Sequence, residues 1–360
     1  MRKAWFGRIG SVLAAAAACG LWMGCSTADG KNEIVGTANG EEIRVVELRE
    51  FLGIRSGSTP ASDVPAEKKK EALDRLIGGR LLAQEARAKG LDNTEEFRAQ
   101  IRQNEQDMWI TALFRKEIDA KSSDIDKEVK AEAKKMMDAD KKLTEKDAES
   151  RAGKLTYDMK VRKIQEELIA AAKKEVPPSV DKALLERIGK KENVADNAVI
   201  ATAGAEKVSY GEVKRMLQAI GAGAHGSEDL SRNPTAIERI LDRELTKRAL
   251  LGLARKQGIE GSKWLAEIRN EMERILLINI LAEKEILKGI VVTDKDLEAT
   301  YKEHAEMFVQ DGKKIPFAQI KEQIRGFVAT NMKRKAIESY VEALKKKAKI
   351  TVNESVLAKV

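Results

Sequence analysis

Residues 73–91 read LDRLIGGRLLAQEARAKGL, and residues 241–259 read LDRELTKRALLGLARKQGI. Both open on Leu-Asp-Arg and place apolar residues at helical spacing: Leu73, Leu76, Ile77, Leu81 and Ala86 in one, Leu241, Leu245, Ala249, Leu250 and Leu253 in the other. Each run stops at a glycine, Gly90 or Gly258, which supplies the left-handed residue that ends a helix. A helix pattern stated twice at this length predicts two copies of one module.

The repetition spreads outward from these helices. Upstream, IVGTANG (34–40) with Ile43 and Glu47-Leu48 answers VIATAGA (199–205) with Val208 and Glu212-Val213. Asn39-Gly40 is a strong hairpin signal and Gly204-Ala205 a weaker one. Short helices are expected around 46–52 and 210–219. Asp63 with Pro65, and Asn233 with Pro234, mark the starts of the two repeated helices. Downstream, Phe97 matches Trp264 and Ile101-Arg102 matches Ile268-Arg269. Ser123 with Asp126, and Thr293 with Asp296, each place an acid three residues after a capping hydroxyl. A long closing helix aligns Gly153, Met159 and Ile164 with Gly326, Met332 and Ile337, and the tails agree from Val180 and Val352 onward. The fold class expected is mostly α with short β-hairpins and strands, built as two tandem helical modules. The expected organisation is a leader over 1–24, modules over 25–188 and 199–360, and a linker over 189–198. Within each module the closing helix needs an apolar partner, and the Leu73 or Leu241 helix of the same copy is the expected one.

The N-terminus reads as an export signal. Arg2, Lys3 and Arg8 precede an alanine-rich apolar stretch that ends at Gly24-Cys25. Gly before Cys after an apolar run resembles a bacterial lipoprotein signal, which implies cleavage before Cys25 and lipidation of its thiol, with an ordinary cleaved secretory signal as the alternative. Cys19 would be lost with the leader, leaving Cys25 as the sole mature cysteine. An intrachain disulfide is then impossible, and packing alone must hold the fold. The leader carries three of the eight net positive charges, leaving +5. Charged residues make up 34% of the chain against 4% aromatic, and lysines alternate with glutamates along helix faces. That argues for long solvated helices and against nucleic-acid binding. His225 and His304 lie in unrelated contexts and no glycine-lysine phosphate loop is present, so no metal site, cofactor site or catalytic triad is expected.

The order of these segments resembles the chaperone part of the SurA and PrsA type of exported folding factors. The likeness rests on IVGTANGEEIRVVELREFL (34–52), on LDRLIGGRLLAQEARAKGL, and on the closing MKRKAIESYVEALKKKAKITV (332–352), and it covers nearly the whole mature chain in both copies. It implies a SurA-like, trigger-factor-like helical fold and binding of unfolded exported or outer-membrane polypeptides. Many members of that family insert a parvulin prolyl isomerase between the last two helices. Here the corresponding junctions, 138–144 and 308–316, are far shorter than the roughly 50 residues a domain requires.

The expectation is therefore a non-enzymatic, lipid-anchored holdase that faces the periplasm, tethered to the outer or inner membrane through Cys25. Its partners would be unfolded exported polypeptides and the membrane itself. Two alternatives stay open: a peptidyl-prolyl isomerase of the same family, and a structural lipoprotein that scaffolds an envelope complex. Flexible thioethers and aromatic rings suit varied apolar clients, which nominates Met108, Trp109, Phe114, Met136, Met137, Met272, Met307 and Phe308 as contacts along a shallow groove framed by the long helices.

Overall fold

Asn39 and Gly40 both adopt positive φ, +50° and +86°, and close a two-residue turn between β1 (Ile34–Ala38) and β2 (Glu41–Arg44). The computed structural model that contains this hairpin describes residues 33–53, 64–121, 125–221, 230–310 and 313–360. The leader, Cys25, Asp63, Ser123 and His225 lie outside the described residues, as does the side chain of Asp126.

The chain is mostly helical with short antiparallel strands. After β2 come α1 (Val45–Phe51), α2 (Ala66–Ala88), α3 (Glu95–Lys121), α4 (Ile125–Ala139) and α5 (Glu145–Glu175). The tail of copy one forms β3 (Pro178–Val180) and α6 (Lys182–Gly189). Copy two repeats the series as β4 (Val199–Ala203), β5 (Glu206–Ser209), α7 (Tyr210–Gly221), α8 (Pro234–Lys256) and α9 (Lys263–Leu281). It continues through α10 (Asp294–Glu303), a hairpin of β6 (Val309–Gln310) and β7 (Lys313–Lys314), and α11 (Phe317–Lys345). β8 (Ile350–Val352) and α12 (Glu354–Lys359) end it.

Local chemistry sets the helix boundaries. Asn233 accepts the Ala236 N–H and Pro234 occupies the first turn of α8. Thr293 and Asp296 form a reciprocal capping box at α10. Asp181 and Asn353 cap α6 and α12 at matching places in the two copies. Gly90 and Gly258 follow α2 and α8 at φ +70° and +64°. At α2 the N-cap position is taken by Pro65 itself, without a side-chain cap. Both β-hairpins carry the same register irregularity, between Ile34 and Gly36 and between Val199 and Ala201.

The described residues gather into two compact units that do not follow the sequence halves 25–188 and 199–360. One unit holds Gln103–Asn270; the other holds 33–53, 64–102 and Glu271–Val360. The division passes through α3 and α9. In the second unit, β8 from the end of copy two pairs with β1 from the start of copy one, in the order β2-β1-β8. In the first, β3 from the end of copy one pairs with β4 of copy two, in the order β3-β4-β5. The helices exchange in the same way: α11 packs on α2 and α5 packs on α8. The expected partnership of first and closing segments is thus present in kind, but each closing segment docks on the other copy. A 27-residue helix such as α3 carries the chain about 40 Å along its axis. In each unit the matching apolar face is supplied by the sibling copy.

Each unit has its own core. In the first, Ile188, Ile200, Val208, Val213, Ile237 and Leu241 pack together. Along α4 and α5, Val129, Ala133, Ala148, Ala152 and Tyr157 form a second cluster. In the second unit, Leu82, Ala86 and Phe97 pack with Leu276, Leu277, Ile280 and Leu281. Leu297 of α10 meets Ile320, Ile324 and Val328 of α11 in a further cluster.

Candidate functional site

The second unit carries an apolar surface on the arm formed by α10, the β6–β7 hairpin and α11. The capping box at Thr293 starts α10 and sets Leu297 against Ile320 and Ile324. At its far end Tyr301 stacks on Phe308, with ring centroids 5.6 Å apart, and tilts against Phe317 at 5.5 Å. The Tyr301 hydroxyl donates to the Ile315 carbonyl at 2.6 Å, which ties the hairpin down. Outside this aromatic knot Met307 is 66% exposed and Phe327 45%. Val309 is also exposed, and the His304 ring meets Phe327 edge-on with centroids 6.0 Å apart.

The corresponding arm of the first unit is the α4–α5 pair. Thr144 caps α5 by accepting the Asp147 N–H. Leu155 and Met159, one helical turn apart on α5, are both exposed. Each unit therefore presents large apolar side chains to water on its arm.

The nominated client residues do not share one groove. Met108 and Phe114 are 1% and 2% exposed; they sit on the buried stripe of α3 with Ala112, Leu113 and Ile118, and their packing closes them to any client. Trp109 is half-buried, and its indole N–H has no hydrogen-bond partner among the described residues. Met136 and Met137 are half-buried against the α4–α5 cluster, and Met272 against the cluster around Phe97 and Leu277. Phe308 is half-buried in the aromatic knot, and Met307 alone of the eight is exposed. Sequence reasoning missed Phe327, Val309 and Leu155 as exposed positions. Helical spacing gave no warning for Phe327: it lies three and seven residues after the buried Ile324 and Ile320 of α11, on the flank of the same face.

The concavity along α11 is ringed by charged side chains, although more of its wall is apolar than polar. It is open, has a volume of about 630 Å³, and is lined by Lys335, Glu338, Ser339, Glu342, Lys346 and Lys347. Glu338 is paired with Arg334 and Glu342 with Lys345.

Two half-buried polar sites in the first unit shift carboxyl groups in opposite directions. Burial raises Asp119 above the usual carboxylate range, although the Trp264 indole N–H donates to it at 2.6 Å and Arg115 is near. Glu212 is held below its ordinary value first by the Ser209 backbone N–H and then by the Ser209 hydroxyl and Arg248. Both groups are tied into the fold. No cluster of three or more His, Cys, Asp or Glu side chains that could hold a metal occurs among the described residues. No described helix is long and apolar enough to cross a membrane.

Comparison with profiles of protein families, with curated proteins and with solved structures found no match to this chain.

Proposed function

We propose that the protein is a lipid-anchored envelope chaperone that holds unfolded exported polypeptides without catalysis. The observation that carries this reading is the exposed set of Met307, Val309 and Phe327 on the arm of one unit. Side chains of this kind gain about 1.5–3 kcal/mol each when fully buried, and a single client side chain would cover them only in part. Binding at one arm is therefore weak and reversible. Leu155 and Met159 give the other unit a site of the same kind. Two weak sites on one chain raise the effective concentration for a client long enough to reach both. The Cys25 tether, expected from the leader, would keep this capacity at a membrane surface.

The test is suppression of aggregation when a urea-unfolded outer-membrane protein is diluted into the mature chain. Substoichiometric or equimolar suppression is expected. The double substitution Met307→Ser/Phe327→Ser should require at least several times more protein for the same effect. A chain with no suppression but with robust prolyl isomerisation of a proline peptide would be an isomerase instead. A chain with neither, and with one dedicated envelope partner, would be a scaffold. Labelling cells with a fatty acid tests the anchor: Cys25→Ser should abolish incorporation and release the protein from the membrane fraction.

A further inference from the structure

The two three-stranded sheets are copies of one another except along one edge. In the first sheet the Asn39 N–H donates to the Lys349 carbonyl at 2.8 Å and the Asn353 N–H to the Val35 carbonyl at 2.9 Å. Residues 349, 351 and 353 thus turn their backbone groups toward β1. Ile350 and Val352 turn theirs the other way, to the free side of β8, where no hydrogen bond reaches them among the described residues. In the second sheet the Asp181 N–H donates to the Ile200 carbonyl at 2.9 Å, which sets the same phase. Pro178 and Val180 then face the free side of β3. Pro178 pairs with Ala203 as Ile350 pairs with Ala38. It lacks the N–H that Ile350 offers, and its ring occupies the line along which another strand would approach. One edge is blunted as edge strands commonly are, and the other is open.

The open edge lies beside unclaimed positive charge. β8 follows directly on Lys345-Lys346-Lys347-Ala348-Lys349. Lys345 is taken by Asp74 and Glu342. Lys346, Lys347 and Lys349 are exposed and pair with no carboxylate among the described residues. In the concavity of α11 Glu338 and Glu342 are paired with Arg334 and Lys345, and Lys335, Lys346 and Lys347 line the same space with no carboxylate partner of their own among the described residues.

We infer that β8 takes up an extended segment of a client polypeptide as a fourth, antiparallel strand, and that carboxylates just C-terminal to that segment are held by Lys346, Lys347 and Lys349. In an antiparallel pair the C-terminal end of the incoming strand lies beside the start of β8, where those lysines are. Main-chain pairing accepts many sequences, as a binder of unfolded chains requires, and the lysines add a preference for acidic clients. The inference rests on the chaperone reading and gives it a substrate class. It uses a different surface from Met307 and Phe327, so the two fail separately.

The test is binding of a fluorescent peptide of alternating Thr and Val ending in Glu-Asp-Glu to the full mature chain, followed by anisotropy. Ile350→Pro reproduces the blunted edge of β3, and it should weaken binding at least tenfold while leaving the circular-dichroism melt unchanged. N-methylation of the peptide's paired amides should do the same, and it carries the test alone if the variant fails to fold. Replacing Lys346, Lys347 and Lys349 together by Glu should reverse the preference to a peptide ending in Lys-Lys-Lys. Unchanged affinity for Ile350→Pro or for the N-methylated peptide would overturn the inference. So would concentration-dependent dimerisation that Ile350→Pro abolishes without any peptide uptake, since a second copy would then own the edge. If Ile350→Pro leaves peptide binding and aggregation suppression both intact, the edge inference falls and the chaperone reading stands. If edge-dependent peptide binding occurs in a chain that suppresses no aggregation, only the chaperone reading falls.

Discussion

Asp74, in the first Leu-Asp-Arg motif, pairs with Lys345 at 2.6 Å across 271 residues of chain. Asp242, at the same place in the second motif, pairs with Lys173 at 2.9 Å. The two contacts are reciprocal: each motif receives its lysine from the closing helix of the other copy. They state in two ion pairs what the sheets and helices also show, that neither copy completes a unit by itself.

A cut in the 189–198 linker tests that exchange. A protease site inserted there and cleaved should leave both fragments co-eluting on native size exclusion, because each unit contains elements from both sides of the cut. They should separate only in denaturant. Fragments that part under native conditions would mean that each copy folds alone.

The hairpin of each copy is stapled to its helix by an arginine, buried at Arg80 and half-buried at Arg248. Arg80, with a side chain 7% exposed, binds Glu41 at 2.9 Å and also Glu47. Arg248 binds Glu244 at 3.0 Å and Glu212 at 3.4 Å, and donates to the Lys207 carbonyl at 2.6 Å. Removing one partner of such a pair leaves the other desolvated, tempered here because the glutamates retain some exposure. Arg80→Met or Arg248→Met should each cost about 1–3 kcal/mol, read as a lower urea midpoint at unchanged slope.

Glu212 and Asp119 should respond to acid with opposite signs. Glu212 has a folded value below its ordinary 4.5, so its stabilisation is present above that pH and is lost as pH falls through the folded value. Glu212→Gln should be less stable than wild type at pH 7, and the gap should close in acid. Asp119 has a folded value above its ordinary 3.8, so its charge costs stability at pH 7 and the cost is relieved as pH falls. Asp119→Asn keeps an acceptor for Trp264 and should match or exceed wild type at pH 7, with the difference shrinking toward pH 3. Thermal melts of both variants across pH 3–8 check the signs.

At Gly252 a helix comes close to another segment. A Cβ built there lies 2.7 Å from a Val176 methyl. Alanine in a helix interior normally gains about 1 kcal/mol over glycine, yet Gly252→Ala should destabilise by about 1–2 kcal/mol through overpacking. Gly252→Ala/Val176→Ala should recover most of that loss, which a denaturation series on the single and double variants would measure.

What could be read from the sequence was local. The Asn39-Gly40 turn, the Asn233 and Thr293 caps, and the stops at Gly90 and Gly258 each depend on a few neighbouring residues, and they stand where they were expected. The exchange of closing helices could not be read, because duplicated apolar faces make Leu73 and Leu241 equally good partners for either closing helix. Arg80 and Arg248 were overlooked because arginines at helical spacing usually mark a solvated face. Met108 and Phe114 were misjudged for the converse reason: residue type suggested a client surface, while their place on the α3 stripe put them inside.

The long reach of β8 also sets an order of assembly during synthesis. Thr37 and Thr351, whose hydroxyls meet at 2.7 Å, are 314 residues apart. A chain made from its N-terminus must keep β1, β2 and α2 waiting for about 300 further residues before their last strand is made. The unit holding Gln103–Asn270 has every one of its described residues before Glu271–Val360, which belong to the other unit, have been made. One half of this protein can therefore be finished early, and the other stays open until β8 itself has been made.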